Sequence, residues 1–176
     1  MKSVPAISLL LCIAVMAQMP ATKTYSSDNF GFELAYPASY RKTHLPSRIA
    51  QWAFYRGARS LLYVSSGTGQ ETGSIHVLLD KRRFTEANVQ SNYAHTGWEK
   101  PQEVRVGKNM FYYYGPGGGG VSYPDDYFYN LTGQILVISF DGPYEPIGAR
   151  SPSEKTKLIE SKVLESLRLL KTATNE

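Results

Sequence analysis

The chain has 176 residues, one cysteine and a formal net charge of +4, from 19 Lys and Arg against 15 Asp and Glu. That length suits one domain with an ordinary core, and the lone Cys12 excludes a disulfide framework and any cysteine-based zinc or iron–sulfur site. The positive charge is mild, and its clusters at Lys81-Arg82-Arg83 and Arg41-Lys42 read as solvated loop rather than as a nucleic-acid patch.

Residues 1–17 have the layout of a secretory signal peptide: a basic start at Lys2, an apolar run over residues 4–16, and Val15 and Ala17 at the outer cleavage positions. The run is short for a membrane span, and the alternative is an uncleaved N-terminal anchor. Leu11 precedes Cys12 where a lipoprotein signal has a small residue, so lipid attachment is not expected. The expectation is an exported bacterial protein, periplasmic or extracellular, with no membrane span once the signal is removed. The mature chain then has no cysteine and must rely on its hydrophobic core. Residues 18–24 read as a linker, residues 25–170 as one α/β domain, and residues 171–176 as a frayed tail.

Phe30, Phe32, Leu34 and Tyr36 alternate and predict a strand with one apolar face, ended by Pro37. Residues 51–56 and 60–64, separated by Gly57-Ala58-Arg59, suggest a hairpin. Residues 74–79 are a further strand, with Ile75, Val77 and Leu79 on one side and His76 and Leu78 on the other. Thr85 or Asn88 caps a helix running to about Thr96, with a weak apolar face at Phe84, Ala87 and Asn88. Residues 102–106 and 108–114 predict two strands around Gly107-Lys108, and residues 122–131 resume the strand pattern after the glycine run 115–120. Ile135, Leu136, Val137 and Ile138, bounded by Gly133 and by Asp141-Gly142-Pro143, form an apolar run too short for a lone helix. They predict a central strand covered on both faces. Ser151-Pro152-Ser153-Glu154 opens a helix. Leu158, Ile159, Val163 and Leu167 give it an apolar stripe, and Leu167-Arg168-Leu169 turns back as a short closing strand.

The motifs that carry chemistry are few. The run Gly115–Gly120 lacks the Lys-Ser/Thr ending and the following helix of a phosphate loop, so it reads as a hairpin connection. The tyrosines around it, Tyr112, Tyr114, Tyr123, Tyr127 and Tyr129, together with Gly117 and Gly118, are the candidate binding surface, since such rings offer large contact area at low entropy cost. The plainer reading is ordinary half-buried strand tyrosines. His44, His76 and His95 make no metal-ligand spacing, and Asp125-Asp126 lacks the ligand ladder of a calcium loop and reads as turn chemistry. No Gly-x-Ser-x-Gly elbow is present. No catalytic residue, metal site or cofactor is therefore assigned.

Three stretches resemble the PsbP-like family of small exported proteins, related to the extrinsic photosystem protein. They are the opening at residues 25–37 with its Phe30-Gly31-Phe32 and Tyr36-Pro37, the apolar strand and acidic-proline loop at residues 135–143, and the late helix with its hydrophobic tail at residues 155–170. The resemblance implies an α+β fold, an antiparallel sheet flanked by layers of helices as an α/β/α sandwich. It also implies a non-enzymatic role in binding or assembly, with an envelope protein or a small ligand as partner; the mild charge and expected export argue against nucleic acid. The alternative is an envelope hydrolase, with or without a metal, using Asp125, Asp126 or Asp141 with a histidine.

Overall fold

The computed structural model describes residues 21–45, 57–67, 73–94, 100–115, 124–142 and 154–170. The signal-like segment, residues 51–56, His95, Gly117, Gly118, Tyr123 and the tail lie outside the described residues. In chain order the elements are β1 (Thr22–Ser27), β2 (Phe32–Pro37), β3 (Arg41–Lys42), β4 (Arg59–Ser65), β5 (Ser74–Arg83) and α1 (Glu86–Tyr93). There follow β6 (Gln102–Val106), β7 (Asn109–Tyr114), β8 (Asp125–Leu131), β9 (Gln134–Asp141), α2 (Glu154–Ser166) and β10 (Arg168–Leu169).

Every strand pair is antiparallel. The strands form a three-stranded sheet, β1-β2-β10, and a seven-stranded sheet, β3-β4-β5-β9-β8-β7-β6. The run from Ile135 to Ile138 is thus in the middle strand of the large sheet, and all four residues are 0 % exposed. Alternation sends Leu136, Ile138 and Phe140 into one apolar cluster and Ile135 and Val137 into another on the opposite face.

The first cluster joins the large sheet to β2, through Phe32 and Leu34, and to α2, through Val163, Leu164 and Leu167. The second is smaller and is closed by Val89 and Tyr93 of α1 over Leu78, Phe128, Ile135 and Val137. Thr85 caps α1 by accepting from the Asn88 amide at 3.1 Å. Asp80, 2 % exposed, ties this helix to β5: its carboxylate accepts from the Tyr93 hydroxyl at 2.6 Å and from the Arg82 Nε at 2.6 Å. Asn109 of β7 donates from its side-chain amide to the carbonyls of Leu164 and Leu167, both at 3.0 Å, and so satisfies two groups at the open end of α2.

These findings correct the α/β/α sandwich expected from the sequence. The chain is mostly β, two antiparallel sheets with two short helices among the described residues, and no layer of helices flanks either face. Among the described residues, one face of the large sheet is covered by a second sheet together with α2, and the other by α1. The physical reason lies in β1, whose Thr22-Lys23-Thr24 start is polar and exposed and so gives no periodic apolar signal. Pairing with β2 over Thr22↔Pro37 to Ser27↔Phe32 makes a strand of it, beginning within the stretch that reads as linker.

The late helix buries Val163 and Leu167 of its predicted stripe and packs Ile159 against the same cluster, and it departs from the stripe at one position. Leu158 is 44 % exposed, whereas Leu164, which the stripe omits, is 1 % exposed. Leu164→Ala is expected to destabilise the fold by about 3 kcal/mol and Leu158→Ala by less than about 0.5 kcal/mol, read as shifts in urea midpoint. Equal shifts would place the helix on the wrong face.

Candidate functional site

Strand alternation splits the predicted tyrosines between the two faces of the large sheet. Tyr112 and Tyr114 lie with Phe128 and α1, Tyr112 stacking on Phe84 at 5.3 Å, and Tyr114 is 4 % exposed. Tyr127 and Tyr129 lie on the opposite face, packed around Phe111 at 6.0 and 5.5 Å between ring centres. The four described tyrosines therefore do not make one strip.

What the second face gathers instead is a groove of about 610 Å³ between β6–β8 and α2. Asp125 and Tyr127 reach it from alternate positions of β8, and Tyr113 joins them because it is the cross-strand partner of Tyr127. From α2 come Lys157, Glu160, Ser161 and Leu164, whose i, i+3, i+4, i+7 spacing puts them on one side of the helix. The Tyr113 hydroxyl donates to Asp125 Oδ1 at 2.5 Å, and the Tyr127 hydroxyl donates to Glu160 Oε2 at 3.4 Å. The two rings stand 4.8 Å apart. A Cβ at residue 115 would come within 2.7 Å of the Tyr113 hydroxyl, so Gly115 leaves room for the Tyr113–Asp125 bond.

Both carboxyl groups are out of water, Asp125 at 2 % and Glu160 at 5 % exposure. Burial pushes Glu160 up to about 8, helped by the Asp125 charge and opposed by Tyr127 and Lys157. Burial raises Asp125 as well, against the Tyr113 hydrogen bond and the Lys157 charge. The phenols of Tyr113 and Tyr127 move above their ordinary range through burial and the neighbouring acids. Glu160 Oε1 is buried without a hydrogen-bond partner, a costly condition for a polar atom.

The acids expected to act in hydrolysis are divided between the two faces of the large sheet. Asp125 and Asp126 do not form a turn; they open β8, both buried, and point to opposite faces. Asp126 belongs to a cross-strand row, Tyr63↔His76↔Ser139↔Asp126↔Tyr114, running over five strands. Burial pushes Asp126 up to about 7 despite its hydrogen bond with Ser139, and burial lowers His76 to about 4. His76 and Asp126 are thus held two strands apart, roughly 10 Å between backbones, with Ser139 between them. His76 Nε2 lies 2.9 Å from Ser60 Oγ, but so buried an imidazole is a weak base. Asp141 pairs in register with Ser74 at the end of β9 and alternates onto the Asp126 face, where its charge helps raise Asp126. Among the described residues no three His, Cys, Asp or Glu side chains gather as metal ligands.

Sequence reading missed Glu160 and Lys157 altogether. The available signal was the inward row Thr156, Glu160, Val163, Leu167, in which a glutamate interrupts an otherwise unchargeable face of α2.

No family model and no curated protein matches the chain. A solved structure from Bacteroides thetaiotaomicron VPI-5482 is similar to it, with a TM-score of 0.50 and 14 % identity, covering 85 % of this chain and 48 % of that one. The chain thus spans about half the length of that protein, and the likeness concerns the fold alone. No helix among the described residues is long and apolar enough to cross a membrane.

The raised carboxyls make stability fall with rising pH. Below 4.5 Glu160 is protonated in both states; above it the unfolded chain releases the proton while the folded chain holds it to about 8. Asp126 acts in the same direction, from 3.8 to about 7. Glu160→Gln, which is neutral throughout, is expected to match the native protein near pH 4.5 and to exceed it by about 3 kcal/mol at pH 8. Urea midpoints of the two proteins across that range check this, and a constant difference would contradict it.

Proposed function

We propose that the chain is an exported, non-enzymatic domain that binds a small polar ligand in the groove between β6–β8 and α2. Export rests on the basic-then-apolar pattern of residues 2–17. The observation that carries the binding reading is the unpartnered Glu160 Oε1 beside an open groove lined by phenol hydroxyls and a second carboxyl. The groove's volume falls in the usual range for small-molecule sites. A small ligand is favoured over a protein partner because the tyrosines that would have made a broad contact patch are divided between two faces.

One observation favours a second reading, a hydrolase: Asp125 and Glu160 are both raised and face one cavity, as acid–base pairs in sugar hydrolysis do. It ranks second because each carboxyl already accepts from a tyrosine hydroxyl, and for Asp125 a 2.5 Å bond competes with its use as a base.

A thermal-shift screen of polar metabolites against the native protein and Glu160→Leu tests the site. A groove ligand at about a hundred times its Kd stabilises the native protein by about 2.7 kcal/mol, and Glu160→Leu is expected to lose at least half of that. Ligands that stabilise both proteins equally would place binding elsewhere, and conversion of the ligand to product would favour the hydrolase.

A further inference from the structure

We infer that the ligand of this groove is a neutral saccharide, whose hydroxyls engage Asp125 and Glu160 while one face of its ring packs on Tyr127. This rests on the groove reading above and narrows it to a ligand class.

The charge balance of the cavity supports it. The lining acids Asp125 and Glu165 are offset by Arg105 and Lys157, while Glu160 holds its proton at neutral pH. A cavity so balanced gives no net attraction to an anion or to an organic cation, and favours a neutral molecule rich in groups that both donate and accept. The polar groups match that demand. A protonated carboxyl, the phenol hydroxyls and the Ser161 hydroxyl each donate and accept, and Lys157 adds donors. Sugar hydroxyls have the same dual character.

Glu160 is the point of entry. It is 5 % exposed, its Oε1 has no partner, and its other oxygen is held by the Tyr127 hydroxyl at 3.4 Å, near the outer limit of a hydrogen bond. A ligand hydroxyl that displaced this long contact would exchange a poor bond for a good one and relieve the orphaned oxygen. By contrast, the 2.5 Å bond from Tyr113 to Asp125 fixes that carboxyl in place at the groove. Val104 and Val106, both half-buried, supply an apolar wall of the groove, suited to the C–H face of a pyranose ring.

The full-length protein is applied to a printed array of neutral mono-, di- and oligosaccharides, and hits are measured by calorimetry beside putrescine and an oligogalacturonate. The expected result is saturable binding of a neutral glycan, retained within threefold by Glu160→Gln and weakened at least tenfold by Glu160→Leu and by Tyr127→Ala. Each variant is first shown to keep its far-ultraviolet spectrum and a cooperative melt. Binding of putrescine or the acidic glycan through the same residues, with no neutral glycan bound, would overturn the saccharide assignment and leave the groove reading standing. A neutral glycan unaffected by Glu160→Leu and Tyr127→Ala, or no binding by any probe together with an unresponsive metabolite screen, would overturn both.

Discussion

The fold depends on one strand being dry on both sides. Ile135, Leu136, Val137 and Ile138 have no exposed surface, and alternate between the clusters on the two faces of the large sheet. Each buried aliphatic side chain of this kind contributes about 1.5–3 kcal/mol relative to exposure. Four in a row on a middle strand anchor every later pairing in the large sheet. The turn that delivers β9 to β8 is tight, with positive φ at Thr132 (50°) and Gly133 (90°), and Asn130 accepts from the Gly133 amide at 2.8 Å. A two-residue turn of that hand matches the twist of the strands it joins. It fixes the register Leu131↔Gln134 onward, and with it which face each residue of β8 meets.

That register is what separates Asp125 from Asp126. Neighbours in sequence, they sit on opposite faces of the same sheet and enter different surroundings. Asp126 faces the α1 side, where Ser139 hydrogen-bonds it and nearby acids raise it further, behind a desolvation that dominates. Asp125 faces the α2 side, where a phenol donates to it and Lys157 lies within electrostatic reach. A slip of one residue between β8 and β9 would exchange their roles and empty the groove of its fixed carboxyl.

Much of the strand pattern was legible because its signals are local. Alternation at Phe32 and Leu34, the run through Ile138, the Gly107-Lys108 turn and the short return of Arg168-Leu169 onto β2 can all be read from side-chain period and glycine placement. The second sheet was not legible, because β1 is an edge strand with a solvated start, and what makes it a strand is the partner opposite rather than its own residues. Likewise Asn109, within a predicted strand, and Asp80, just past one, carry no local sign of their roles, yet each is buried and bonded across the fold. Their partners are 55 or more and 13 residues distant in sequence, which no local pattern reports.

The groove was illegible for a related reason, and that reason bears on its role. Thr156, Glu160, Val163 and Leu167 occupy the inward side of α2, where packing alone would favour an aliphatic residue at position 160. A glutamate there meets Asp125 and two phenols and holds a proton that an exposed glutamate would give up near 4.5. Local pattern and tertiary fold agree along the rest of this helix face and conflict at this one residue. Such conflicts lower stability unless something compensates, and they concentrate where a protein handles a ligand. Tyr127 compensates only in part, since its bond is long and leaves Oε1 bare, so the remaining cost is the part that a bound hydroxyl is placed to recover.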